Sequence, residues 1–237
     1  MRAFVGDSTM TRLLGIACAV DTTSVGYVNL LVVSGALGTV SRVSKYLALE
    51  GVDGSGKSTV GNALVAALGE RGYDAILVRE PGGTTLGEAV RALLLDSETL
   101  DDWAEVFLFA AQRAELAREV VAPALAAGTW VVSDRSYYSS IAYQGQARGL
   151  GEDRVRLINE TGLDGVLPDY VFVLDVEPSV ALSRQDRPDR IGKEGVEFQA
   201  AVRESYRGLA AQEEKVVLLD GASSVEEMVA RILEVVT

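Results

Sequence analysis

The sequence predicts an α/β fold of three layers: a five-stranded parallel sheet with helices on both faces. Three observations predict it. Short apolar runs of strand length recur from residue 46 onward, and segments with apolar residues at helical spacing separate them. Such runs suit strands buried on both sides, because the crossover helices of a parallel sheet cover both of its faces. The first run is followed at once by a Gly-rich turn and an amphipathic helix.

The elements follow in order. Residues 46–50 are a buried strand ending in a turn. Residues 58–70 carry Val60, Leu64, Val65 and Leu68 at helical spacing. Residues 74–79 are a second strand, broken by Pro81-Gly82-Gly83. Residues 86–95 are helical, and 101–127 form a longer helical stretch that Pro123 bends or splits. A strand at 129–133 precedes a helical region at 137–159 with a Gly-containing break at 149–151. Residues 170–175 are a strand, and 178–184 begin a helix. Residues 185–195 form a charged loop without apolar periodicity. A helix at 198–213, a fifth strand at 215–219 and a last helix at 223–236 complete the pattern.

Composition removes whole classes of chemistry. The formal net charge is −12, so the surface repels a phosphate backbone and sequence-independent nucleic-acid binding is not expected. There is no histidine, which excludes Ser-His-Asp and Cys-His triads and histidine metal sites. Cys18 is the one cysteine, so there is no intrachain disulfide and no cysteine cluster. Carboxylates, hydroxyls, Lys, Arg and a hard cation remain.

Gly51-Val-Asp-Gly-Ser-Gly-Lys57-Ser58 fits G-x-x-x-x-G-K-[ST], between an apolar strand and an amphipathic helix. This is a phosphate-binding P-loop, and it makes the three-layer fold that of a P-loop NTPase. Glycines let successive N–H groups face one anion, and the helix start adds its positive dipole end. Gly51, Val52, Asp53, Gly54, Ser55, Gly56, Lys57, Ser58 and Thr59 are the expected ATP-binding set. The Lys57 ammonium is expected at the β- and γ-phosphates and the Ser58 hydroxyl on Mg²⁺. Arg79, Arg91, Arg113, Arg135, Arg184, Arg187 and Arg190 fall near strand ends or in segments able to line a cleft, and guanidinium forks suit phosphate oxygens. As a set they favour two bound phosphate groups.

Residues 46–236 resemble the bacterial thymidylate kinase family. The resemblance rests on Glu50-Gly-Val-Asp-Gly-Ser-Gly-Lys-Ser-Thr59, Arg79-Glu-Pro-Gly-Gly-Thr84, Leu108-Phe-Ala-Ala-Gln-Arg113, Asp134-Arg135, Ala142-Tyr-Gln-Gly145, Pro168-Asp169, Leu174-Asp-Val176 and Asp189-Arg-Ile191. It implies transfer of the ATP γ-phosphoryl group to dTMP, with Mg²⁺, on the way to dTTP, by a cytoplasmic homodimer that binds neither nucleic acid nor membrane. It also implies residue roles. Phe109 stacks on thymine, and Arg113 reaches the base carbonyl. Ser140 and Gln144 contact the base edge, and Tyr143 crowds the sugar 2′ side. Arg91 and Arg135 hold the dTMP phosphate, with Arg79 beside the same pocket. Glu80 and Asp53 stand near the sugar and the transferring group. Asp134 serves Mg²⁺, with Asp175 as the competing carboxylate. The loop at 185–195 is the lid, whose Arg184, Arg187 and Arg190 offset charge on the transferring phosphoryl. Gly192 stands where the family carries an acid. Two other readings remain at this stage: a P-loop kinase for another small acceptor, and a P-loop ATPase or switch.

Residues 1–45 read differently and are expected to lie outside the catalytic domain at 46–237. They hold four basic and two acidic residues, the reverse of the rest. Residues 22–41 lack charge over 20 positions, the length of a membrane span, but ten of them are Gly, Ser, Thr or Asn. Residues 13–20 faintly resemble a secretion signal, which would strand a kinase away from nucleotide. An appendage, or upstream sequence ahead of a start near Val40 or Val43, is the expectation.

Overall fold

A computed structural model describes residues 43–184 and 190–237. Residues 1–42 and Arg187 of the charged loop lie outside them. Five strands, β1 (Tyr46–Glu50), β2 (Ala75–Arg79), β3 (Trp130–Asp134), β4 (Tyr170–Asp175) and β5 (Val216–Asp220), form one sheet in the order β2-β3-β1-β4-β5. Every pair is parallel. β1 is central, with Leu47 opposite Val132 on one side and Tyr170 on the other.

Alternation along the strands builds two cores. Leu47 and Leu49 of β1, Trp130 and Val132 of β3, and Phe172 and Leu174 of β4 pack with α1 (Lys57–Glu70) and α9 (Val225–Val236). Ala48, Val171 and Val173 point the other way. There they meet side chains of α2 (Thr85–Asp96), α3 (Asp102–Leu116), α5 (Tyr137–Ser140), α6 (Glu152–Leu163), α7 (Pro178–Ser183) and α8 (Val196–Gln212). This is the three-layer arrangement the pattern predicts. Leu64 and Leu68 of α1 are fully buried, and each such side chain contributes about 1.5–3 kcal/mol of burial free energy.

The helical stretch around Pro123 is split, but the break starts earlier than the proline. A π-helical segment, Ala117–Val121, precedes α4 (Ala122–Ala126), and Pro123 sits in the first turn of α4. Proline has no N–H and its ring crowds the carbonyl one turn back, so the wider turn falls on the residues before it. A second π-helical segment, Ile141–Ala147, continues α5. It is buried from Ile141 to Gly145, in the helical layer that holds α3, α6 and α8.

Since β1 lies between β3 and β4, the crossovers leave it in opposite directions. A crevice opens at the C-terminal ends of the strands at such a switch point. The Gly-rich loop after β1 lies there, with a wall available from each helical layer.

Candidate active site

The loop from Gly51 to Gly56 owes its course to glycine. Gly51, Gly54 and Gly56 have φ of 134°, 83° and 99°, a region L side chains avoid. α1 starts after Gly56 with no side-chain cap and no acidic residue in its first turn, which leaves its positive end to an anion. The Lys57 ammonium donates to Gly51 O at 3.2 Å and Val52 O at 3.0 Å. Burial, and then the Arg135 charge, push its pKa down to about 8, against the pull of Asp53, Asp134 and Glu50. Ser58 Oγ donates to Asp134 Oδ2 at 2.5 Å, joining α1 to the end of β3. Asp175 is engaged elsewhere: Arg203 reaches it at 2.6 Å and Arg207 at 2.9 Å.

Arg135 follows β3 with φ at 78°, a strained conformation for a residue with a Cβ. Its guanidinium donates to Gly51 O at 3.3 Å, Ser139 Oγ at 3.0 Å, Tyr143 Oη at 3.3 Å and the Asp53 carboxylate. Burial works to raise the Asp53 carboxyl, but Arg135 and Lys57 outweigh it and hold it below the usual range. Under this turn lies Glu50, fully buried at the end of β1. It accepts from Ser136 N and Oγ, both at 2.7 Å, from Ser139 Oγ at 2.6 Å and from Tyr206 Oη at 2.7 Å. Glu50 therefore fixes the Ser139 hydroxyl that Arg135 binds.

These groups line a cleft of about 740 Å³. Asp53 to Thr59, Arg79, Glu80, Arg91, Phe109, Asp134, Arg135, Ser140, Tyr143, Gln144 and Arg184 all face it. Phe109, Tyr143 and Gln144 come from the layer of α3 and the second π-helical segment. Gly221, Ser223, Ser224, Val225 and Met228 come from the β5–α9 turn and α9, in the opposite layer. The P-loop lies between the two walls.

Several expected residues touch the site without lining it. Gly51 and Val52 contribute carbonyls to Lys57. Arg113 is buried beside the cleft. Its Nε meets Glu80 at 2.5 Å, its Nη1 meets Ser140 Oγ at 3.1 Å and Asn159, and its Nη2 meets Ser136 O at 3.1 Å. Burial raises the Glu80 carboxyl, and Arg113 opposes that rise. Arg190 donates to Leu94 O at 3.0 Å and to the buried Glu105. Two arginines that do line the cleft are also held by neighbours: Arg91 Nη1 donates to Pro81 O at 2.8 Å, and Arg79 pairs with Glu88 at 3.1 Å.

Residues 49–232 match the family model described as thymidylate kinase. The chain is 44% identical over 192 residues to a thymidylate kinase of Fervidobacterium nodosum, covering 80% of this chain and 97% of that protein. It is 40% identical over 195 residues to that of Finegoldia magna, covering 80% and 96%. It is 42% identical over 192 residues to that of a Synechococcus strain, covering 81% and 94%. The chain belongs to the thymidylate kinase family.

For a thymidylate kinase family member, two features were missed by sequence reasoning. The wall at Gly221–Met228 carries no basic residue, and its readable sign is the helix start Ser224-Val-Glu-Glu227. Ser224 accepts from Glu227 N, and the Glu227 side chain accepts from Ser224 N. The buried carboxylates of Glu50 and Glu105 are the second. Glu50 ends a run of five buried residues, and Glu105 shares the α3 face of Phe109, Gln112 and Leu116. A charge on a buried stripe is their signal.

Proposed function

We propose that this chain is a dTMP kinase: it transfers the γ-phosphoryl group of ATP to dTMP, giving dTDP and ADP. The observation that carries the reading is a continuous cleft in which the P-loop separates two walls, one with an aromatic ring and amide, the other the β5–α9 turn. Two nucleotides can then meet at Lys57 and Arg135.

The acceptor's chemistry suits a chain without histidine. The second pKa of a phosphate monoester is about 6, so dTMP arrives mostly as the dianion and no base has to deprotonate it. One of its oxygens attacks the γ-phosphorus while the bond to the β-bridging oxygen breaks. Catalysis reduces to alignment and charge compensation. Lys57 holds the donor phosphates, Arg135 and Arg91 hold the acceptor phosphate, and Arg184, with Arg187 of the lid, covers the transferring group, while Arg190 is engaged by Leu94 O and Glu105. Phe109 stacks on the base, Arg113, Ser140 and Gln144 address its edge, Tyr143 crowds C2′, and Glu80 and Asp53 flank the sugar and phosphate.

Ser58 and Asp134 fit Mg²⁺ in kind, as hard oxygen donors from adjacent elements. No group of three carboxylate, His or Cys ligands occurs among the described residues, in keeping with an ion bound mainly by phosphates and water. Bound there, Mg²⁺ supplies positive charge to the donor phosphates. Homodimer formation is part of the reading, supported by Phe107 of α3 and Leu157 of α6, both well exposed; light scattering is expected to give twice the chain mass. No helix among the described residues is long and apolar enough to cross a membrane, and supply of both nucleotides supports a cytoplasmic setting.

A coupled ADP-release assay with ATP, Mg²⁺ and a panel of nucleoside monophosphates tests the function. Turnover is expected to be fastest with dTMP. Faster turnover of another monophosphate would favour a different acceptor, and ADP release independent of any acceptor would favour an ATPase or switch.

A further inference from the structure

Glu105 is a fully buried carboxylate on α3, one turn before Phe109, and it does not line the cleft. Its Oε1 accepts from Gln144 Nε2 at 2.7 Å and from Arg148 Nε at 3.0 Å. Its Oε2 accepts from Arg148 Nη2 at 3.3 Å and from Arg190. Arg148 is itself shared with Glu194 at 2.9 Å and Asp102 at 3.6 Å. Glu105 is thus a charge compensated by two guanidinium groups, with one neutral side chain, Gln144, on the same oxygen as Arg148.

We propose that Glu105 is a positioning residue that sets which pyrimidine the site accepts, by fixing the orientation of the Gln144 amide. The inference rests on the reading of Phe109 and Gln144 as the acceptor-base pocket. An ionised carboxylate only accepts hydrogen bonds, so it requires the NH₂ end of the Gln144 amide. The amide carbonyl then belongs to the other end, on a side chain that lines the cleft. A carbonyl matches the N3–H of a thymine or uracil ring. Against cytosine it faces the N3 lone pair, and a buried acceptor left without a donor is costly. Gln144 alone cannot discriminate in this way, because a free amide flips at little cost and offers either end. Arg148 and Arg190 keep the buried charge compensated, which ties base selection to the lid residue Arg190.

The test compares dTMP with 5-methyl-dCMP, which has the same outline and differs only at N3 and the 4-substituent. Binding of each is measured calorimetrically on the full chain. Wild type is expected to prefer dTMP; no preference overturns the proposal. Glu105→Gln can donate or accept, so the preference is expected to narrow by roughly tenfold. In a Gln144→Ala background the same substitution is expected to leave the preference unchanged within about twofold, since the partner it acts through is gone. A merely structural role would lower both affinities and leave their ratio alone, and that result overturns the proposal. Because Glu105→Gln takes the Glu105 charge away from Arg190 and leaves Arg148 to Glu194 and Asp102, Glu105→Gln with Arg148→Gln is measured beside it, and its preference is expected to narrow in the same way. Wild type that turns over another nucleotide and ignores dTMP would instead remove the functional reading itself.

Discussion

Lys57 carries a consequence that can be measured at the level of one proton. With its pKa at about 8 instead of the ordinary 10.5, a substantial fraction of the ammonium is neutral at pH 8. A polyphosphate beside it favours the charged form and raises that pKa. ATP binding near pH 8 is therefore expected to take up protons, visible as a dependence of calorimetric enthalpy on buffer ionisation heat, and Lys57→Met is expected to lose the uptake. The sign for stability is the reverse of a salt-bridged lysine. Between about pH 8 and 10.5 the unfolded chain binds the proton and the folded chain releases it, so this group's contribution to stability grows as pH rises across that window. Phe109→Ala is expected to weaken dTMP binding by roughly tenfold or more while leaving ATP binding near wild type, since ring stacking acts on one base only. Equal losses for both nucleotides would reject the stacking role. Arg135→Ala is expected to lower kcat/KM by roughly a hundredfold or more, and to lower the thermal midpoint as well, since Asp53 loses its ion-pair partner.

At the scale of elements, the strand ends and turns hold the site, and two glycines show how tightly. A Cβ on Gly51 would lie 2.8 Å from Leu174 O, and one on Gly221 would lie 2.6 Å from Asp175 O. Both contacts are with β4 backbone, which cannot step aside. Gly221→Ala is expected to destabilise the fold by about 1–3 kcal/mol in urea titration and to weaken ATP binding more than dTMP binding. Gly51 was legible in the sequence because its motif has fixed spacing. Gly221 was not, because a close approach between two turns leaves no periodic trace. The strands were legible because β1, β3 and β4 are buried on both faces, while the edge strands β2 and β5, though less covered, still read as short apolar runs. The π-helical segments were not, since a widened turn keeps nearly the same apolar spacing. Residue contacts showed the same divide. Arg113 and Phe109 share a helix face, as the spacing says, yet Phe109 lines the cleft and Arg113 is held beside it by Glu80, Ser140 and Asn159. Spacing gives the face, while the partner that captures a guanidinium is chosen by folding.

For the whole molecule, the family and the reaction follow from motifs distributed along most of the chain. The chain as a whole carries an excess of acid over base, while in the cleft Lys57, Arg79, Arg91, Arg135 and Arg184 outnumber Asp53, Glu80 and Asp134. Negatively charged nucleotides are thus attracted locally and repelled elsewhere, and raising ionic strength is expected to weaken both substrates' binding as those interactions are screened. A salt titration of both affinities measures it.

The wall formed by Gly221 to Met228 is made some 170 positions after the P-loop it faces. A nascent polypeptide halted at residue 220 has its phosphate-gripping turn but no enclosure for the far side of the donor. Enclosure of a bound nucleotide thus waits for a segment far downstream of the loop that grips its phosphates, and a chain cut back to residue 220 is expected to hold ATP more weakly than one that includes this wall.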